Sequence, residues 1–228
     1  MSVPVGSTRD LVIADLVATI LAVDPAGEHR TRVCVDGITA AGKTTLASEL
    51  GGALEARGRS VLRITMDGFH HSRAHRYRQG RGSAAGYYVD AYDLDALRSL
   101  VLEPLGCGET RVRTAIIDLA TDTPVTDAWA DLPRGGVLIV DGTFLQRGEL
   151  VDAWDLRICI APAFAVARER GAARDAELLG GVDAARAAFD ARYHAACRRY
   201  IAEVDPESRC DVLVDNADPT NPAILRTR

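Results

Sequence analysis

The segment Gly37-Ile38-Thr39-Ala40-Ala41-Gly42-Lys43-Thr44 constrains this chain more than any other, because it fits the spacing G-x-x-x-x-G-K-[ST] and stands between two different local patterns. Before it, Arg32 to Asp36 (RVCVD) is a short β-branched run that reads as a strand. After it, Lys43 to Arg57 has helical periodicity and stops at Gly58. The glycines let the backbone curl so that successive N–H groups point at phosphate oxygens, and the helix N-terminus adds partial positive charge. The cradle then runs through Gly37, Ile38, Thr39, Ala40, Ala41, Gly42, Lys43, Thr44 and Thr45. Lys43 would reach the β- and γ-phosphates of a nucleoside triphosphate, and the Thr44 hydroxyl would ligand Mg²⁺. Lys43 is also the one lysine among 27 Lys+Arg residues, so the sole lysine lies where a phosphate needs it.

The rest of the chain repeats the alternation of strand and helix. Thr8 to Val23 reads as a helix that stops at Pro25 and Gly27; Leu94 to Leu102, a segment from about Phe164, and Val182 to Val204 read as further helices. Strand patterns occur at Ser60 to Met66, Val112 to Asp118, Gly136 to Val140, Leu156 to Ile160 and Val212 to Val214. Such alternation predicts an α/β fold in three layers, a mostly parallel sheet with helices on both faces. The one long stretch without a period is His70 to Tyr88, rich in Arg, Gly, His and Tyr, which reads as a functional loop.

Composition excludes several classes. With 47% hydrophobic and 26% charged residues in 228, the chain has an ordinary globular make-up, read here as a single domain over 1–228. A net charge of -5 gives no global pull toward nucleic acid or an anionic membrane, so neither is expected as a partner and any anion site must be local. Five cysteines with no C-x-x-C pair fit a reduced compartment. No apolar run approaches the length of a membrane span, and Met1 to Arg9 lacks the pattern of a signal peptide, so a cytoplasmic location is expected.

Two acids are placed for phosphate chemistry. Asp67 follows the second strand in Met66-Asp67-Gly68-Phe69-His70, which puts it at the carboxyl edge of a parallel sheet, beside the glycine-rich loop. There it could accept the proton of an acceptor hydroxyl or help hold Mg²⁺; an Asp capping a turn beside Gly68 is the plainer alternative. Asp141 follows the apolar run Val137 to Val140, the position of an acid behind Mg²⁺, with an Asp-Gly turn as its alternative. A guanine-reading N-K-x-D motif needs a second lysine, so a switch GTPase is not expected. A three-histidine zinc site lacks any ordered ligand frame in the sequence.

The set GITAAGKTT, MDGFH, VDAYD, VLIVDG and RERGAARD resembles the uridine kinase and phosphoribulokinase branch of P-loop kinases, over about Arg32 to Asn216. The resemblance implies a P-loop kinase fold and a kinase that uses ATP and Mg²⁺ to phosphorylate a hydroxyl of a small molecule. A nucleoside, uridine or cytidine, is the leading acceptor; pantothenate or a sugar is the alternative. It also implies roles for single residues. Asp67 would be the catalytic base, and Thr44, Asp67 and Asp141 would place the metal. Asp90 would hold the sugar hydroxyls, with His70 and Tyr88 beside it in an acceptor-side insertion of about 70–92. Arg170 and Arg174 would close an Arg-rich lid of about 168–182 over the transferring phosphate. Where uridine kinases carry a Tyr and a His that grip the pyrimidine, this chain has Ile117 and Asp122, so the resemblance speaks more for kinase chemistry than for uridine. From a different class, a P-loop ATPase that acts on a protein partner remains the competing reading. Arg-rich helices such as Ala184 to Tyr200 serve equally as solvated faces or contacts in a homo-oligomer.

Overall fold

Helix α1 (Thr8–Val23) begins at a reciprocal cap: the Asp10 N–H donates to Ser7 Oγ at 3.2 Å and the Ser7 N–H donates to Asp10 Oδ2 at 2.9 Å. It buries Val12, Leu16, Val17 and Ile20, one helical face. The computed structural model describes residues 7–24 and 26–228. The expected stop at Pro25 and most of the Met1–Arg9 segment lie outside the described residues.

The main sheet has six strands: β1 (Thr31–Gly37), β2 (Val61–Thr65), β7 (Val137–Gly142), β8 (Leu156–Ile160), β9 (Val212–Asp215) and β10 (Ala223–Thr227). Their order is β10-β9-β8-β1-β7-β2, and every pairing is parallel except β9 with β10. Val35 and Thr65 both lie opposite Asp141, so the ends of β1, β2 and β7 come out at one edge. The side chains alternate across the sheet. Val33, Val35, Val137 and Ile139 join one core cluster with α1 and α2 (Lys43–Glu55), while Cys34, Leu138 and Val140 join another with Leu94, Leu97, Val101, Leu105 and Trp154. Helices therefore cover both faces, as the alternation of patterns requires.

Two expectations need correction. Val112 to Asp118 is not one strand of the sheet. It splits into β3 (Arg111–Arg113) and β4 (Ile117–Asp118), which pair antiparallel with β6 (Trp129–Asp131) and β5 (Thr123–Pro124) in two small separate sheets. Asp118 Oδ1 accepts the N–H groups of Ala120 and Thr121, and this turn folds β4 back on β5. The apolar residues that suggested a core strand, Val112 and Ile116, instead pack into the second cluster. The stretch 70–88 is not a bare loop, since it contains α3 (Arg73–Arg76) and the start of α4 (Ala84–Asp90), both too short to show a period. β10 was not foreseen; as an exposed edge strand it shows no continuous apolar run.

The remaining helices follow the pattern more closely. α5 (Leu94–Leu97), a π turn (Arg98–Leu102) and α6 (Glu103–Gly106) form one run, and α7 (Phe164–Leu179) leads to α8 (Val182–Ala188). A π turn over Phe189–Tyr193 joins α8 to α9 (His194–Val204), and α10 (Pro206–Arg209) precedes β9. No helix among the described residues is long and apolar enough to cross a membrane.

Candidate active site

The glycine-rich loop leaves β1 at the carboxyl edge of the sheet and is held from below by buried bonds. Asp36, wholly buried at the end of β1, accepts from Tyr200 Oη at 2.5 Å, Gln146 Nε2 at 3.0 Å and the Gly37 N–H at 2.8 Å. Burial raises the pKa of this carboxyl, and these donors oppose the shift. A Cβ at Gly37 would stand 2.5 Å from the Ile160 carbonyl oxygen, so the close approach of β1 to β8 requires glycine there. Gly42 has φ +96°, and its Cβ would meet Asn216 Nδ2, which donates to the Ala41 carbonyl at 2.9 Å. His194, with its ring Nε2 3.2 Å from the Thr39 carbonyl, braces the middle of the loop.

Lys43 and Thr44 begin α2. Lys43 Nζ donates to the Ile38 carbonyl at 2.8 Å, folded over its own loop. Burial lowers its pKa, against the pull of nearby acids that include Asp36, Asp141 and Asp67. Thr44 Oγ1 donates to Asp141 Oδ2 at 2.6 Å. Asp141 Oδ1 is buried with no hydrogen-bond partner, and the Arg63 guanidinium stands 3.7 Å away. Burial raises the Asp141 pKa, opposed by the Thr44 bond and the charges of Arg63 and Lys43. A hydroxyl and an orphaned carboxylate oxygen are the hard donors that Mg²⁺ takes, and this ion commonly completes its shell with water and substrate phosphates. Among the described residues no cluster of three or more His, Cys, Asp or Glu side chains is placed to hold a metal on its own.

Asp67 lies in a tight turn, Met66–Phe69, entered through Thr65. Its side chain is 64% exposed, and its charge is felt by both Lys43 and Arg174. The wall beside it is aromatic. His70 Nδ1 lies 3.1 Å from the Asp67 carbonyl, the His70 ring packs 4.2 Å from Tyr92, and Tyr92 Oη lies 3.1 Å from Tyr87 Oη. Tyr87 Oη stands 3.5 Å from Thr39 Oγ1, so this wall runs from the acid to the phosphate loop. Burial lowers the His70 pKa, which keeps the ring neutral near pH 7.

The other sequence-derived residues are placed differently. Tyr88 turns to the core, edge-on to Phe144, with the Arg147 and Arg199 guanidiniums each 4.7 Å from its ring centroid. Its neighbour Tyr87 is the one that reaches the loop; choosing between the two needs the phase of α4, which a seven-residue helix does not reveal. Asp90 is fully buried, bonded by Arg78 and by Gln79 Nε2 at 2.7 Å. Burial works against its charge, yet those donors outweigh it and hold the carboxyl below its ordinary range. Arg170 donates to the carbonyls of Asn216 and Ala217 at 2.8 and 2.6 Å, clamping the loop after β9. Arg174 pairs with Asp175 at 2.7 Å and is 63% exposed.

Tyr87 stands in the aperiodic stretch marked as a source of acceptor-pocket residues, whereas Asp36, Tyr92, His194 and Asn216 escaped the sequence reading. Only Asp36 carried a signal, an acid ending an apolar strand directly before the glycine loop. The rest contribute through partners remote in the chain.

The sequence matches no protein-family model and no curated protein. Solved structures do resemble it. A protein of Bacillus stearothermophilus named as a possible uridine kinase superposes with a TM-score of 0.70 at 27% identity, over 88% of this chain and 96% of that one. A protein of Silicibacter sp. TM1040, named as a candidate fructose transport system kinase, gives 0.69 at 25% identity, over 83% and 94%. D-glycerate 3-kinase of Cryptococcus neoformans gives 0.57 at 13% identity over 86% and 90%, a likeness of fold alone. The fold is that of P-loop kinases, and these neighbours are described as kinases acting on small molecules.

Proposed function

We propose that this chain is a kinase that transfers the γ-phosphoryl group of ATP to a hydroxyl of a small metabolite. The observation that carries the reading is the meeting, at one sheet edge, of the Lys43–Thr44–Asp141 group with the exposed acid Asp67. In the reaction the acceptor oxygen bonds to the γ-phosphorus, the bond from that phosphorus to the bridging oxygen breaks, ADP leaves, and Asp67 takes the hydroxyl proton. Lys43 exchanges the Ile38 carbonyl for a phosphate oxygen, which removes a donor from a weak acceptor and gives it to a charged one. A bound Mg²⁺ supplies charge neutralisation at the phosphates, and Thr44, Asp141 and Asp67 are the residues that would hold it.

The lid reading falls on 168–182, where α7 meets α8. Arg174 is exposed and need only leave Asp175 to reach the transferring phosphate, whereas Arg170 is tied to the Asn216–Ala217 loop and would first act by positioning it. Arg168 pairs with Asp190 and Glu169, which holds the hairpin of helices together.

For the acceptor, the sequence resemblance and the 27% identical neighbour speak for a nucleoside, uridine or cytidine, whereas the unpaired charge beside the aromatic wall, argued below, speaks for an anionic metabolite. Other hydroxylated metabolites compete, because Asp122 is already engaged by the Arg73 N–H at 2.7 Å and Arg76 at 2.8 Å, and Ile117 is buried. The test is a coupled ADP-release assay with ATP and Mg²⁺ over uridine, cytidine, fructose, pantothenate, glycerate and ribulose 5-phosphate. A many-fold rise with one acceptor is expected. ADP release that ignores every small molecule and responds to a protein partner would replace the kinase with an ATPase that drives a partner.

A further inference from the structure

Among the described residues two arginines are buried, Arg76 at 5% and Arg192 at 9% exposure. They are treated unequally. Arg76 forms an ion pair with Asp122 at 2.8 Å. Arg192 pairs with no carboxylate among the described residues; Nη1 donates to the Arg81 carbonyl at 2.5 Å and Nε is buried with no partner. A buried guanidinium without an anion is costly, and the fold provides one for its counterpart, so Arg192 is suited to pair with an anionic group.

Its place in the molecule says which ligand. Arg192 sits in the π turn between α8 and α9, a type of irregularity often found at functional sites. Its guanidinium carbon is 5.3 Å from the ring centroid of Tyr87, the residue that reaches Thr39 of the phosphate loop and, through Tyr92 and His70, the Asp67 turn. It also lies 4.9 Å from the Tyr77 ring, which Arg81 and Arg76 approach at 5.2 and 5.3 Å. The acids nearby are already used: Asp122 by Arg76, and Asp90 by Arg78 and Gln79. Arg81 has no ion-pair partner among the described residues either, so two guanidiniums without a carboxylate meet at the Tyr77 ring.

We infer that Arg192, assisted by Arg81, binds an anionic group of the phosphate acceptor, which is therefore a metabolite carrying a carboxylate or a phosphate in addition to the hydroxyl that is phosphorylated. The flat guanidinium fork matches either group in a bidentate manner, and stacking on tyrosine rings fixes the plane in which it is presented. The word acceptor rests on the kinase reading above; the anion site itself does not.

The test separates the two. With ADP and Mg²⁺ saturating, so that the phosphate loop is filled, inorganic phosphate, D-glycerate and uridine are each titrated calorimetrically into the wild-type chain and the Arg192→Gln and Arg192→Lys variants. Their folding is checked by circular dichroism. Phosphate or glycerate should bind the wild type about ten-fold or more tightly than Arg192→Gln, with Arg192→Lys between them, and uridine should not lose affinity. The stronger of the two anions identifies the class. Equal anion binding in wild type and Arg192→Gln, or none in the wild type, overturns the inference. The exposed Arg81→Gln change, a smaller loss in the same direction, covers the case in which the Arg192 variants do not fold. In the ADP-release assay the wild type should prefer glycerate, pantothenate or ribulose 5-phosphate to uridine, cytidine and fructose. Arg192-dependent phosphate binding without acceptor-stimulated ADP release leaves the anion site standing and removes the kinase; strong stimulation by uridine that survives Arg192→Gln does the reverse.

Discussion

The two halves of the candidate site are built in opposite ways. On the nucleotide side, the phosphate loop is braced through Asp36, Tyr200, Gln146, Asn216 and His194, and Lys43 and Thr44 already have internal partners, Asp141 Oδ1 being the oxygen left for a metal. On the acceptor side, the exposed Asp67 and the unpaired Arg192 stand at the two ends of an aromatic wall, each without an ionic partner of ordinary length. The cradle is preorganised, which lowers the cost of binding a triphosphate that every member of a broad class of kinases could use. The acceptor wall leaves charge uncompensated, and uncompensated charge is what discriminates between substrates, since the wrong ligand leaves it unpaired.

The sharpest way to break this contrast is at the acid. Asp67→Asn should lower kcat by about 10²- to 10⁴-fold while the affinity for ATP, measured by calorimetry, stays unchanged. Full turnover in that variant would remove Asp67 from the chemistry. Lys43→Met should lower kcat by about 10²- to 10³-fold and should also weaken ATP binding, because Lys43 serves the cradle in the ground state too. A Lys43 variant with unaltered nucleotide affinity would show that backbone N–H groups alone hold the phosphates.

The bracing beneath the loop predicts stability effects. Tyr200→Phe removes the 2.5 Å donor to the buried Asp36 and should cost about 1–3 kcal/mol in chemical denaturation, with a raised KM for ATP. Loss of stability without a change in KM would mean that Asp36 supports the core and not the loop. The smallest effect concerns pH. Burial holds the His194 pKa below its ordinary value of 6.5, so the unfolded chain takes up that proton first. The contribution of His194 to stability is therefore full above about pH 6.5 and declines as the pH falls toward the lower folded value. His70 shifts in the same direction for the same reason. Thermal midpoints between pH 7.5 and 5.5 should fall with pH in the wild type and fall less in His194→Gln; parallel curves would exclude a role for His194.

Much of the frame could be read locally. Leu156–Ile160 and Thr8–Val23 form over the residues that their patterns mark, and β1, the glycine loop and α2 appear in the expected succession. These elements are legible because periodicity and the glycine-to-lysine spacing depend on neighbours within a few residues. The failures share a cause. Val112 to Asp118 has a strand-like composition, but its partners are Trp129–Asp131 and Thr123–Pro124, and pattern alone does not name a partner. Tyr87 and Tyr88 are chemically alike in the sequence, and their roles separate only when α4 docks.

Sequence alone determined the strand–loop–helix cradle, the acids at the edge of a parallel sheet, and the class of α/β fold that puts them there. Tertiary structure decided which charges are spent and which are left over: Asp36 meets Tyr200 across 164 positions, Arg170 meets Asn216 across 46, and Arg192 meets a carbonyl across 111 and tyrosine rings but no carboxylate among the described residues. Backbone periodicity is a local steric property and is written residue by residue. Compensation of buried charge is a sum over everything the fold brings near, so it exists only once the chain has closed on itself.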